Sequence, residues 1–119
     1  MHDFVKASKA LSDETRLRIM NLLLERDCCV CEVMQSLQIS QTRASRNLSV
    51  LHDAGFLKLH KDGLWSLYSL DETGMDEYMI GLVESVRKAL VGSKLAAKDR
   101  ERLKQAERVG PGCGGKIRK

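Results

Sequence analysis

The 119-residue chain has no hydrophobic run approaching the roughly 18 residues that a membrane helix requires, so no membrane span is expected. Its start, Met1-His2-Asp3-Phe4, does not join a basic segment to an apolar stretch as a secretory signal does. The expectation is therefore a cytoplasmic protein in a reducing compartment. Proline is nearly absent, with Pro111 alone near the C-terminus. That matters because Cys28-x-x-Cys31 has the spacing of a disulfide oxidoreductase. Such sites follow a strand in a βαβ unit, and the thioredoxin-like ones add a cis-proline. Here helical patterns precede the motif. No Ser/His/Asp arrangement, Gly-rich phosphate loop or carboxylate pair offers other chemistry, so an enzyme is not expected. Basic charge is also missing from the body. Residues 1–93 carry 11 Lys and Arg against 13 Asp and Glu, whereas residues 94–119 carry 9 against 3. Any affinity of the body for nucleic acid must come from local placement.

What is present is a chain with 43% hydrophobic and 30% charged residues, enough for one small globular core. A short amphipathic helix is predicted over about 2–11. Ser12 reads as the cap of a second helix running to about Arg26, with Leu17, Met20, Leu23 and Leu24 as its apolar stripe. Asp27 could cap a third helix that carries the cysteines at its start and Val33, Met34 and Leu37 on its apolar side. Ser40 caps a fourth, running to about Ala54, with Gly55 just past its end. From Phe56 the period changes to alternation, broken by Lys61-Asp62-Gly63 and resumed over Leu64–Leu70, which predicts a β-hairpin. Helix resumes at about Asp71, with Met75, Met79, Leu82, Val86 and Leu90 on one stripe. Gly92-Ser93 interrupts it. Residues 94–108 form a charged helix-former with a solvated face, and a Gly-rich tail carries Cys113. The expected organisation is a domain over 1–91 and an extension over 92–119.

Two short helices joined by a tight turn and followed by a hairpin make a mainly α winged helix-turn-helix with a two-stranded β-wing. On the fourth helix Ala44, Leu48 and Leu51 face inward, leaving a polar side for double-stranded DNA. Ser40, Gln41, Thr42, Arg43, Ser45 and Arg46 are the candidate contacts there, and Lys61 supports them from the wing. Residues 40–61 hold four basic side chains (Arg43, Arg46, Lys58, Lys61) against Asp53, a local +3 in an acidic body.

Cys28, Cys29 and Cys31 lie within four residues. Thiolates select soft or borderline ions: Cu(I), Zn(II), Cd(II), or trivalent arsenic and antimony. No histidine is near. Arsenite-type ions take three sulfurs, the number in the cluster. On an intact helix Cys28 and Cys31 share a face, whereas Cys29 and Cys31 stand about 200° apart. Ligation is therefore expected to unwind the first turn of the third helix and so disturb the recognition helix. Cys113 is the other candidate ligand, from within or between protomers. All four sulfurs together would suit Cd(II), Pb(II) or Zn(II). A thiol-oxidation sensor using Cys28–Cys31 or Cys29–Cys113 is the alternative without a metal.

Leu11-Ser12-Asp13-Glu14-Thr15-Arg16-Leu17-Arg18-Ile19, Cys29-Val30-Cys31-Glu32, Ser40-Gln41-Thr42-Arg43-Ala44-Ser45-Arg46-Asn47-Leu48 and Gly63-Leu64-Trp65-Ser66-Leu67-Tyr68 follow one another in one order. The chain resembles the ArsR/SmtB family of metal-responsive repressors over about residues 4–91. The resemblance implies a homodimer built from the first and fifth helices, repression of a resistance operon, and release of operator DNA on binding As(III) or Sb(III). Cys29 and Cys31 match the family's Cys-Val-Cys arsenic motif, and Met34 stands where its third cysteine falls. Asn47 replaces a frequent histidine. The fifth helix lacks the His and acidic ligands of the zinc-sensing version.

Overall fold

The computed structural model describes residues 1–109, so Cys113 and the Gly-rich tail lie outside the described residues. Six helices and one hairpin follow in order: α1 (His2–Leu11), α2 (Glu14–Glu25), α3 (Val30–Leu37), α4 (Gln41–Asp53), β1 (Leu57–Asp62), β2 (Trp65–Leu70), α5 (Glu77–Leu90) and α6 (Lys94–Gln105). None of these helices is long and apolar enough to cross a membrane.

The helix starts correct three expectations. Ser12 does not cap α2; its hydroxyl donates to the Lys9 carbonyl at the end of α1 (2.9 Å). Asp13 takes the role, accepting from the Arg16 N–H (3.0 Å), as its extended backbone allows. Asp27 does not begin α3, whose N-cap is Cys29, with φ −90° and ψ 170°. Helix does not resume at Asp71, whose N–H instead donates to the Phe56 carbonyl (2.9 Å); α5 follows Asp76. The α4 start is as expected, with Ser40 accepting from the Arg43 N–H (3.1 Å). Gly55, at φ +99°, ends that helix in the left-handed region.

Ile19, Met20, Leu22, Leu48, Leu51 and Phe56 are fully buried and join α2, α4 and the hairpin into one core, onto which α1 and α5 pack. The wing is antiparallel, with Leu57 opposite Leu70 and Asp62 opposite Trp65. Gly63 (φ +65°) therefore holds the first central position of a two-residue turn, which demands positive φ there. α6 presents Lys94, Lys98, Glu101 and Lys104 to solvent but docks its other side on α2 and α3. Asp99, fully buried, accepts from Arg18 Nε (2.7 Å) and Nη2 (2.9 Å). Asn21 Nδ2 donates to the Ala96 carbonyl (3.1 Å), and Arg26 Nη2 to that of Leu103 (3.0 Å).

Candidate functional site

Two surfaces converge on the helix-turn-helix. The first is the start of α4. Gln41, Thr42, Arg43 and Arg46 are exposed there and Ser45 is half-buried, so four of the five predicted side chains on this helix face solvent. Ser40 is exposed, with its oxygen engaged as the cap. Arg43 is braced, because Nη2 donates to Thr15 Oγ1 (2.9 Å). Asn47 is buried and faces inward. Its Oδ1 accepts from Arg16 Nη1 (2.9 Å) and its Nδ2 donates to the Arg43 carbonyl (2.9 Å), while Arg16 Nε donates to the Ala10 carbonyl (2.6 Å). Asn47 thus positions α4 against α1 and α2. Lys61 is exposed near the wing tip, paired across the hairpin with Ser66.

The second surface is the sulfur cluster. Because Cys29 precedes α3 in an extended conformation, its Sγ turns back to lie 3.7 Å from Cys31 Sγ. This corrects the expected opposition of the two sulfurs across a helix: no unwinding is needed to bring them together. Two thiolates at about 2.3 Å from one tetrahedral ion stand about 3.8 Å apart, so with Cys31 reduced the two sulfurs would be near enough to share an ion. Cys29 and Cys31 form a small apolar cluster with Leu67, flanked by Val30, Trp65 and Val109. Cys31 Sγ is also 3.8 Å from the Val109 carbonyl. Cys31 is disulfide-bonded in this structure, whereas Cys28 and Cys29 retain thiols, which corrects both expected pairings, Cys28–Cys31 and Cys29–Cys113. Cys28 belongs to the main core instead, with Sγ 3.5 Å from the Arg26 carbonyl. Its backbone pairs with β2: the Cys28 N–H donates to the Tyr68 carbonyl (3.0 Å) and the Tyr68 N–H to that of Cys28 (2.8 Å).

Charge around the cluster is organised by Glu32, 3% exposed. Its Oε1 accepts from the Cys29 N–H (2.9 Å) and Arg108 Nε (3.1 Å), and its Oε2 from Arg26 Nη1 (2.8 Å). Burial alone would raise its pKa, but these donors, Arg26 foremost, hold it below the ordinary value. Burial pushes the Cys28 thiol up to about 12 and raises Cys29, chiefly because an apolar setting disfavours a thiolate. Glu32, Arg26 and Arg108 were not among the residues singled out from sequence, although Cys29-x-x-Glu32 has the spacing of a capping box, with Cys in place of Ser. The wing residues Leu67 and Trp65 carried no sequence signal for the cluster, because their contact depends on the tertiary fold.

The family described as "Bacterial regulatory protein, arsR family" matches residues 13–58. A relative from Staphylococcus aureus, the "Cadmium resistance transcriptional regulatory protein CadC homolog", is 42% identical over 83 residues. That match covers 69% of this chain, and the chain spans 65% of that protein. The "Arsenical resistance operon repressor" of Bacillus subtilis is 37% identical over 76 residues, covering 63% of this chain and 69% of the relative. Among solved structures, the homodimeric winged helix-turn-helix DNA-binding domain of Mb0332 from Mycobacterium bovis superposes with a TM-score of 0.64. Its identity is 22%, over 78% of this chain and 82% of that one.

Proposed function

We propose, from the premise that this chain belongs to the arsR family of bacterial regulatory proteins and is a DNA-binding transcriptional repressor of that family, that it releases its operator on binding As(III) or Sb(III) through Cys29 and Cys31. The observation that carries this reading is the 3.7 Å sulfur pair in an apolar setting. Arsenical and cadmium regulators both stand among the relatives, and proton balance favours the metalloid. Each thiol that replaces a hydroxyl of arsenous acid gives its proton to that hydroxyl, which leaves as water. Three thiols thus bind with no net proton release. A dication would instead release a proton per thiol and leave negative charge in apolar surroundings. Burial of Cys29 favours the first exchange. Cd(II), Pb(II) and Zn(II) are the competing ligands.

For the third sulfur, Cys28 would have to leave the core and its bridge to Tyr68. Cys113 follows Val109 by four residues, at most about 14 Å of chain. That reach supports Cys113 from the same protomer. Gln41, Thr42, Arg43, Ser45 and Arg46 contact DNA, with Lys61 adding a phosphate or minor-groove contact from the wing. A homodimer through α1 and α5 presents two such helices to an operator with two half-sites.

The test is an operator-release titration of the reduced protein with arsenite, antimonite, cadmium, lead and zinc. Release by arsenite or antimonite at the lowest dose is expected, and Cys29→Ser or Cys31→Ser should bind operator normally yet ignore arsenite. Release led by cadmium, or a retained arsenite response in either variant, would discard the assignment. The disulfide at Cys31 favours a second reading, a repressor released by thiol oxidation. In that reaction two thiols give two electrons and two protons to peroxide, yielding one disulfide and two waters. Release by peroxide with no effect of arsenite would establish it.

A further inference from the structure

Resting on the thiol site as read above, we propose that ligand binding acts on DNA affinity through the wing, with Leu67 and Trp65 as positioning residues between the sulfurs and the wing's DNA contact. Three observations converge on this route. The sulfurs meet at the α3 N-cap, so binding leaves the turns of α3 intact. They pack directly on Leu67, with Trp65 beside it, two residues apart on one face of β2. The same loop is tied to the wing twice more, by the two backbone hydrogen bonds between Cys28 and Tyr68 and by Asp27 Oδ2, 3.5 Å from His60 Nε2 on β1. The thiol loop is in effect a one-residue third strand of the hairpin.

The wing also has room to respond. On the face that carries Leu67, where Lys58, His60 and Ser69 also lie, opens a pocket of about 400 Å³ that Leu23, Asp27 and Leu70 help to line. The Ser69 hydroxyl is buried there with no hydrogen-bond partner among the described residues. With open space over part of this face, the hairpin is held there chiefly by Leu67, Trp65 and the ties to Cys28 and Asp27, so a shift at those contacts meets little close packing. The recognition helix is tied to α1 and α2 by Arg16, Asn47, Arg43 and Thr15, and it packs on α3 and β1 as well. An atom inserted between Cys29 and Cys31 therefore pushes on Leu67 and Trp65, and the hairpin carries Lys61 with it. Lys61 lies on the opposite face of the sheet from Leu67, paired with Ser66.

The test separates the two elements by a thermodynamic cycle on the full-length, reduced protein, using arsenite and operator DNA recovered by selection. In the wild type the loaded and empty proteins should differ in operator affinity by about 5- to 150-fold. Lys61→Ala should lower the affinity of the empty form and shrink that ratio to within about twofold, with arsenite uptake unchanged. Arg46→Ala should lower both affinities and leave the ratio intact. Amide exchange supplies a second measurement without DNA: peptides covering 65–70 should lose protection on arsenite loading, and those covering 41–53 should not. A ratio that survives Lys61→Ala, or collapses in Arg46→Ala, overturns the wing route. Exchange changes confined to 41–53 do the same. A wild type that takes up no arsenite instead removes the thiol assignment, and the wing route falls with it.

Discussion

Glu32 shows how one buried side chain can join segments far apart in sequence. Its two oxygens serve the backbone of Cys29, the end of α2 at Arg26 and the segment after α6 at Arg108, so a change at the thiol loop is felt by both neighbours. Replacing the carboxylate by an amide keeps the shape and removes the charge. Glu32→Gln should destabilise the fold by about 1–3 kcal/mol at pH 7, measured by urea unfolding. The pH dependence has a definite sign. A carboxylate whose folded pKa lies below its ordinary value of 4.5 contributes stability that is complete above that value and fades as pH falls through the folded one. The gap between wild type and Glu32→Gln should therefore be constant from pH 7 to about 5 and close on further acidification. Cys28 has the opposite sign. Its thiol, raised to about 12, favours the folded state below pH 9 and withdraws that contribution between 9 and 12.

At the level of elements, α6 is held chiefly by polar contacts, with Ala96, Asp99 and Leu103 as its buried side chains. Asp99→Ala strands Arg18 and Arg102 beside a buried vacancy. Because those arginines are 20% and 32% exposed, water can compensate part of the loss, and the cost should be about 2–3 kcal/mol. Hydrogen exchange should show α6 opening before the core does. Much of this architecture was legible in the sequence. Ser40 with its apolar stripe fixed the start of α4, and Gly55 its end, because capping and left-handed backbone are local chemistry. Cys29 and Cys31 were legible as a pair. Their closeness was not, since it depends on one extended residue, and Cys is an unusual occupant of an N-cap that pattern reading assigns to Asp27. The docked side of α6 was hidden for a related reason. A run of Lys, Arg and Glu looks solvated until Arg18, on another helix, supplies the partner that allows Asp99 inside.

At the scale of the whole molecule, α1 and α5 meet through Phe4 and Tyr78, edge to face at 5.5 Å, yet leave Phe4, Val5 and Ile80 between 41% and 50% exposed. Grouped apolar exposure on two contacting helices suits a second copy of the chain. Ile80→Lys, a change at a side chain 50% exposed, should leave the fold intact and yield a monomer by sedimentation. Operator affinity should then fall by about 100-fold or more, because two half-sites are no longer engaged together. An Ile80→Lys protein that stays dimeric removes the α1–α5 interface.

The pairing of Cys28 with Tyr68 has a further consequence for solubility. A two-stranded ribbon has bare flanks on both sides, and bare flanks recruit strands from other chains. Where Cys28 occupies the flank of β2, that recruitment is blocked at the point nearest the core. A variant that prevents the pairing, such as Cys28→Pro, should therefore form fibrils or precipitate on storage while the parent protein stays in solution.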